Sequence, residues 1–263
     1  MKTSTLAGLV VASLAALASS ASCTSFSGEG EPQADAGAGD ATPASDAGAS
    51  DAVASDSGGC PVLFDESFED GQLWKLEPSN LVTSGSLQLT QASKGQQGVA
   101  TWNKEVGPGQ YDVDVDIDIS APGGSGSPGE GMTLWWSEST AAPAPGTAQS
   151  FGACNSGRRG VAVVMSTREG TLRLVSLDPG TCGDIERSMP NAFRPGRYSL
   201  KVKVNGPDVS ATLTTSTGPE SWVVNGKMPP FTIRFMGFSA TTGDSFARHA
   251  VDRAKATYCP SSK

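Results

Sequence analysis

The chain has 263 residues, a formal net charge of −8 and a single histidine. Seven of its acidic residues lie between positions 24 and 59, where no basic residue occurs, so the rest of the chain is nearly neutral. Neither part has the basic stripe that nucleic-acid binding requires, and we therefore expect no nucleic-acid partner. Residues 60–263 are sufficient for one sizeable domain.

The first 22 residues have the composition of a secretory signal. Lys2 precedes an apolar run at 6–18, which is too short to span a membrane, and small residues follow it. Cys23 comes directly after Ser20, Ala21 and Ser22, a context that resembles the lipobox of bacterial lipoproteins, although leucine is usual at the position of Ser20. The resemblance implies that Cys23 carries a lipid anchor. The alternative is ordinary cleavage near Ala21, which leaves a secreted protein.

A linker of low complexity follows at positions 24–59. It consists almost wholly of Ala, Gly, Ser, Asp, Thr and Pro, and its only large apolar residues are Phe26 and Val53. This composition predicts a disordered tether, extended by charge repulsion, because it buries too little apolar surface to offset chain entropy. It resembles the tethers of myxobacterial surface lipoproteins. The predicted organisation is a signal peptide at 1–22, the lipid-attachment cysteine and linker at 23–59, and a folded domain at 60–263.

Short strand-like runs, separated by turns rich in glycine and proline, fill the predicted domain. They alternate apolar and polar residues, and none has helical periodicity. The eleven runs are 62–68, 86–90, 98–102, 111–119, 132–136, 160–166, 171–177, 198–204, 209–214, 231–240 and 246–258. They predict an all-β fold of two packed sheets.

The order of four motifs resembles the concanavalin A-like lectin and glucanase jelly rolls, which include L-type lectins and laminin G-like modules. The motifs are Phe64, Phe68, Gly71 and Trp74; GEGMTL at 129–134; VAVVMST at 161–167; and GFSA at 237–240, followed by a turn and the pair His249 and Val251. The resemblance implies a two-sheet antiparallel β-sandwich. It also implies that the alanine-rich run at 247–256 is a strand and that His249 is a hydrogen-bonded structural residue.

The cysteines indicate two disulfides. If Cys23 carries lipid, four cysteines remain in an exported chain, which is the usual setting for paired cysteines. The resemblance brings the domain termini onto neighbouring strands and so implies Cys60–Cys259. Cys154 and Cys182 lie 15 residues before and 13 residues after Glu169, near the turn of a predicted hairpin. An in-register hairpin places them nearly opposite, and Cys154–Cys182 is the favoured second bridge.

The metal site of legume-type lectins is expected to be lost. Those lectins hold calcium and a transition metal with the Glu and Asp of a VAVEFDT strand, and Val164 and Ser166 stand at the two matching positions. A hard cation needs several oxygen ligands, mostly charged, which these residues do not supply. We therefore predict no metal and no other cofactor.

Glu130 and Trp135 are the candidate carbohydrate-binding residues. Glu130 stands where the lectins have the sugar-binding Asp of a GDG motif. Trp135 alternates with Leu134 and Trp136, so it faces away from their apolar side and is a candidate platform for stacking a sugar. The alternative is that Trp135 belongs to a second packing layer beneath the loop at 137–155.

Four aspartates form a ladder along the run 111–119: Asp112, Asp114, Asp116 and Asp118. Strand geometry puts all four carboxylates on one face. The pattern resembles the E-x-D-x-E catalytic strand of glucanases, with the shorter Asp at both catalytic positions. A solvated strand face is the favoured interpretation, and the alternatives are calcium binding and catalysis.

The function that these features predict is non-catalytic recognition at the cell surface. The expected partner is a glycan or a cell-surface protein, and the expected membrane contact is the lipid anchor alone. Thr24, directly after Cys23, resembles an outer-membrane sorting signal. A degenerate glucanase and a purely structural or protein-interaction module are the alternatives.

Overall fold

The computed structural model describes residues 59–69, 72–77, 81–83, 85–120, 131–139, 159–179, 181–188, 195–244 and 246–261. Within these segments the chain forms fifteen strands and no helix, so no helix there is long enough to cross a membrane. The strands are β1 (Val62–Glu66), β2 (Trp74–Glu77), β3 (Leu81–Thr83), β4 (Ser86–Thr90), β5 (Gln97–Trp102), β6 (Gly109–Ser120), β7 (Gly131–Ser137), β8 (Gly160–Ser166), β9 (Thr171–Asp178), β10 (Thr181–Ser188), β11 (Gly196–Asn205), β12 (Asp208–Thr215), β13 (Ser221–Lys227), β14 (Phe235–Thr241) and β15 (Arg248–Pro260).

The strands form a sandwich of two sheets. One sheet has eight strands in the order β13-β12-β11-β6-β15-β4-β3, with β1 paired to β15, and the other has seven in the order β10-β9-β8-β7-β14-β5-β2. Every strand pair is antiparallel. The two-sheet antiparallel β-sandwich predicted from the sequence is therefore confirmed.

The core lies between the sheets, and strand alternation produces it. Along β6 the residues alternate between buried and exposed, so Tyr111, Val113 and Val115 point inward while the aspartates point outward. The ring of Tyr111 lies 6.4 Å from the ring of Trp136 on the opposite sheet. The predicted separation of apolar and acidic faces on this strand is confirmed.

The strands that the sequence did not predict are all edge strands. β13 and β3 end the eight-stranded sheet, and β10 and β2 end the seven-stranded sheet. β10 has no fully buried residue, so it shows no apolar alternation. An edge strand has one neighbour and faces water along its open side, which weakens its sequence pattern.

The predicted strand at 231–240 begins too early. Its first four residues alternate apolar and polar, yet β14 starts only at Phe235. Ile233 is buried, but the backbone before β14 makes only isolated contacts, such as the bond from the Arg234 N–H to the carbonyl of Ser137. The alternation of apolar and polar residues at 231–234 therefore reflects packing against the core. These four residues are not part of a hydrogen-bonded strand ladder. The alanine-rich run at 247–256 does lie in a strand, β15, as predicted.

A disulfide joins Cys60 to Cys259, as predicted, with the two Cα atoms 4.8 Å apart. The hairpin of β8 and β9 also turns at 167–170, as expected. However, β9 ends at Asp178 and Cys182 lies on β10, beside Leu177, so the in-register placement expected for this cysteine is wrong. Cys182 is disulfide-bonded. Because Cys154 lies outside the described residues, the Cys154–Cys182 bridge stays a prediction.

Several other predictions fall outside the described residues. Positions 1–58 include the predicted signal, Cys23 and almost all of the linker. Glu130 directly precedes the first described residue of β7.

Candidate functional site

The outer face of the seven-stranded sheet, which points away from the core, carries a second apolar cluster. Its buried members are Val99, Trp135, Ala162, Val164, Val175 and Leu177. Trp135 pairs with Gly237 on one neighbouring strand and with Ala162 on the other. Trp136, the next residue along β7, belongs to the core instead.

Trp135 is fully buried, so the predicted exposed platform for stacking a sugar is wrong. Its ring lies against β14, where a Cβ added to Gly237 would stand 2.5 Å from ring atom Cζ2. Because glycine leaves this space empty, the indole packs like a core side chain. This burial supports the alternative of a second packing layer, while the loop predicted to cover it lies mostly outside the described residues.

Five of the buried hydroxyl side chains on the same face are grouped together, and we call them the hydroxyl band: Thr133, Ser166, Thr171, Ser239 and Thr241. Strand register arranges them in two adjacent rows that cross β14, β7, β8 and β9. In the first row Gly131 stands between Thr241 and Ser166. Gly131 has a φ of 145°, which favours glycine, and its missing side chain leaves a gap in the row.

Most of these hydroxyls lack a partner. In the part of the chain that the structure describes, Thr171, Ser239 and Thr241 make no side-chain hydrogen bond, and neither does Thr167 in the adjoining turn. All four residues are at most 7% exposed. Buried hydroxyls are normally hydrogen-bonded, because an unsatisfied one costs about 1–3 kcal/mol. A water molecule or a ligand hydroxyl can supply the partner.

The positions that match the lectin metal ligands do not fit a calcium ion. Val164 belongs to the apolar cluster, and the Ser166 hydroxyl accepts a hydrogen bond from the Glu169 N–H at 3.1 Å. Arg173 pairs directly with Val164 across the strands, and its Nη1 lies 3.3 Å from Asp184 Oδ1. The guanidinium disfavours a second cation beside it. No group of three or more His, Cys, Asp or Glu among the described residues is placed to hold a metal.

The aspartate ladder lies on the outer face of the other, eight-stranded sheet. Asp112 and Asp114 are ion-paired with Lys203 and Lys201 of β11, at 3.6 and 3.4 Å. Asp118 is bound on the opposite side by Arg248 of β15, at 2.7 Å. These pairings support the solvated-face interpretation.

The ladder and the hydroxyl band lie on opposite faces of the sandwich and cannot form one site. Asp114 and Asp118, the pair that matches the glucanase motif, have Cα atoms about 13 Å apart along the strand. Their carboxylates bond towards different neighbouring strands. Glycosidases need two carboxyl groups about 5–9.5 Å apart facing one sugar, and the pair Asp114 and Asp118 does not meet this requirement.

His249 is a structural residue, as predicted. It is fully buried, and its Nδ1 lies 2.8 Å from the hydroxyl of Thr90, which in turn donates to the carbonyl of Ala247. This chain of bonds assigns the proton to Nδ1. Burial lowers the pKa of His249 to about 3, so the ring is neutral at physiological pH.

Sequence reasoning missed the hydroxyl band because it singled out charged and aromatic residues. Ser239 and Thr241 lie two residues apart in the motif that identified the fold, and Thr133 is two residues before Trp135. Small hydroxyls in step with a buried tryptophan are a detectable signal, since period-2 spacing puts them on its face. The cross-strand rows, however, depend on register.

Known structures share this fold. The seed lectin of Lotus tetragonolobus (isoform) has a TM-score of 0.65 and 14% identity, covering 76% of this chain and 99% of the lectin. The exoplasmic/lumenal domain of VIP36 in a Ca²⁺- and mannose-bound form has a TM-score of 0.62 and 16% identity, with 73% and 85% covered. Basic winged bean lectin with Tn-antigen has a TM-score of 0.59 and 16% identity, with 74% and 97% covered.

These similarities establish the concanavalin A-like fold of the L-type lectins, as the sequence predicted. The similarity lies in structure more than in sequence, since the identities are 14% and 16%. No family model matches the chain, and neither does any curated protein.

Proposed function

We propose that this chain is a carbohydrate-binding module whose site is the hydroxyl band on the seven-stranded sheet. The observation that carries the proposal is the set of four buried hydroxyls without partners, on Thr167, Thr171, Ser239 and Thr241. Sugar hydroxyls both donate and accept, so they match such a row. Two of the similar structures, of VIP36 and of winged bean lectin, contain mannose and Tn-antigen respectively.

Binding is proposed to need no metal ion. Valine at 164 and the guanidinium of Arg173 opposite it leave the position poor in oxygen ligands and positively charged. The fixed hydroxyls take over the task of orienting the sugar. Glu130 immediately precedes Gly131 in the sequence. In this proposal its carboxylate accepts hydrogen bonds from the sugar.

The proposed binding is non-catalytic. The aspartate ladder lies on the other sheet, and Asp112, Asp114 and Asp118 are ion-paired there, so the ladder cannot act on a sugar bound at the hydroxyl band. A bound oligosaccharide is expected to be recovered intact after prolonged incubation.

A glycan array followed by calorimetry tests the proposal. The best array ligand is titrated into the full chain with calcium and then with EDTA, and equal affinity is expected. Thr171→Val and Thr241→Val should each weaken binding about tenfold, the order expected for a lost hydrogen bond in a buried site. Thr212→Val, the same change on the other sheet, is the control and should bind normally.

Two outcomes would reject this function. If no glycan on the array binds, ordered water and not a sugar would be the partner of the hydroxyl band. Affinity that disappears in EDTA would show that a metal organises the site after all.

We also propose that the module is exported and tethered to the outer membrane by a lipid on Cys23. The support is the apolar run at 6–18, the small residues before Cys23 and the acidic linker behind it. Mass spectrometry of the protein from its membrane fraction should find a diacylglyceryl modification on Cys23. The Cys23→Ala variant should appear in the soluble fraction.

A further inference from the structure

A cavity of about 490 Å³ opens on the outer face of the eight-stranded sheet. Its size falls in the range of about 300–1,000 Å³ that is usual for small-molecule sites. It lies on the opposite side of the sandwich from the hydroxyl band. Its polar lining consists of Ser86, Gln88, Asp118, Arg197, Arg248 and Asp252.

Asp252 lines this cavity from a β-bulge in β15. The pairing of β15 with β6 shifts register between Val251 and Arg253, so Asp252 is the extra residue. Val251 and Arg253 are two residues apart and would share a face in a regular strand, yet Val251 is in the core and the Arg253 side chain is 55% exposed. With Val251 in the core, Asp252 faces outward as in a regular strand, and the bulge turns Arg253 outward beside it.

Half of the charges in the cavity are already paired and half are not. Arg248 binds Asp118 at 2.7 Å and also contacts the hydroxyl of Ser86 at 3.4 Å. Neither Arg197 nor Asp252 forms an ion pair within the described segments. Arg197 lies on β11 and Asp252 on β15, with Asp118 of β6 between them.

We infer that this cavity binds a small zwitterion, a molecule with one ammonium and one carboxylate such as a free amino acid. Arg197 would bind the carboxylate and Asp252 the ammonium, while the Ser86 and Gln88 side chains add neutral hydrogen bonds. Two arginines and two aspartates give the lining no net charge, which favours a ligand without net charge. None of the described lining residues has an aromatic ring on which a sugar could stack.

The environment of Asp252 agrees with an ammonium partner. Burial raises the pKa of its carboxyl, and the charges of Asp118 and Asp116 add to this, against the opposing effect of Arg197 and Arg248. A carboxylate held next to like charges is stabilised by an added cation. An ammonium at this position supplies that charge.

Calorimetry with the full chain tests the inference. The probes are glycine, β-alanine, 4-aminobutyrate and 6-aminohexanoate, which increase the distance between the two charges, with acetate and methylamine as single-charge controls. We expect an optimum within the series, because Arg197 and Asp252 stand on fixed strands. Acetate and methylamine should each bind at least about tenfold more weakly than the best zwitterion.

Two variants locate the site. Arg197→Gln and Asp252→Asn should each reduce affinity for the best zwitterion by about tenfold or more. The matched control is Lys201→Gln, which removes a cation from the same strand and face but outside the cavity. Thr171→Val should leave zwitterion binding unchanged, so this test is independent of glycan binding.

The inference fails if none of the four zwitterions binds. It also fails if acetate or methylamine binds as tightly as the best of them, since the cavity would then recognise a single charge. Equal affinity across the series would contradict two fixed contact points. Melting temperatures of the variants close to that of the wild type exclude unfolding as the cause of lost binding.

Discussion

The outer faces of the two sheets arise from the same strand alternation, but their polar groups differ in charge, exposure and pairing. On the eight-stranded sheet the polar groups are charged and exposed, and Asp112 and Asp114 have cationic partners. On the seven-stranded sheet the hydroxyl band is neutral and buried, and Thr171, Ser239 and Thr241 have no partner among the described residues.

This difference distinguishes an ordinary solvated surface, the aspartate ladder, from a candidate binding site, the hydroxyl band. Exposed charges are hydrated, so their pairing adds little to stability and their loss costs little. Buried hydroxyls without partners lower stability, and a fold retains them most readily where a ligand or water completes their bonds. The unsatisfied groups are therefore more informative about function than the conspicuous aspartate ladder.

The largest contrast is expected from truncating one apolar side chain on each outer face. Trp135→Ala should lower the free energy of unfolding by about 4 kcal/mol, because it removes a fully buried indole and leaves a cavity over Gly237. Val223→Ala, at a side chain that is 46% exposed, should change it by less than about 0.5 kcal/mol. Denaturant titrations measure both values. A small loss for Trp135→Ala would mean that this face is not a true packing layer.

The second contrast concerns the pH dependence of stability. It arises from the buried pair of His249 and Thr90 in the eight-stranded sheet. His249 has a pKa of about 3 when folded and an ordinary value of 6.5. The contribution of the neutral, buried His249 to the free energy of unfolding is therefore fully present above pH 6.5, and it is lost as the pH falls towards 3. Between pH 7 and pH 4.5 we expect a loss of about 2–3 kcal/mol from this group.

His249→Asn isolates that loss, since asparagine keeps an N–H donor for Thr90 but does not titrate. Stability curves of the two proteins should converge as the pH is lowered from 7 to 4.5. Carboxylates affect both proteins equally, so parallel curves would show that His249 is not buried in its neutral form.

The fold could be predicted from the sequence because central strands carry their own signal. β6 alternates apolar and acidic residues from Tyr111 to Ile119, and the GFSA motif marks most of β14. The edge strand β10 could not be found, since its burial is decided by a single neighbouring strand. Phe231 and Ile233 show the opposite error. Their alternation with polar residues predicted a strand, but it reflects packing against the core by residues outside any strand.

The candidate site was less accessible to sequence reasoning. Trp135 was correctly placed on the face away from Trp136, but whether that face is covered depends on tertiary packing. Thr171 and Thr241 are 70 positions apart in the sequence and meet in one row only through the pairing of four strands. The bulge at Asp252 was also missed, although the adjacent charged residues Asp252 and Arg253 interrupt the alternation of β15.

A smaller contrast is expected from removing one buried hydroxyl from each sheet. Thr171→Val should raise the free energy of unfolding by about 1 kcal/mol, because its hydroxyl has no bond to lose. Thr90→Val should lower it by about 2 kcal/mol, because it removes the bond to Ala247 and leaves Nδ1 of His249 unsatisfied. Thermal and denaturant unfolding give both signs. Destabilisation by Thr171→Val would reveal a hydrogen bond to ordered water.

The smallest effects are expected on the aspartate ladder. Asp112→Asn and Asp114→Asn should each change the free energy of unfolding by less than about 0.5 kcal/mol, because Lys203 and Lys201 are at least 65% exposed and their ion pairs are screened by water. A double-mutant cycle with Lys201→Gln should give a coupling energy in the same range, and it should fall further at high salt. A coupling of several kcal/mol would show that this face is covered as thoroughly as the hydroxyl band, and the distinction between the two outer faces would then be lost.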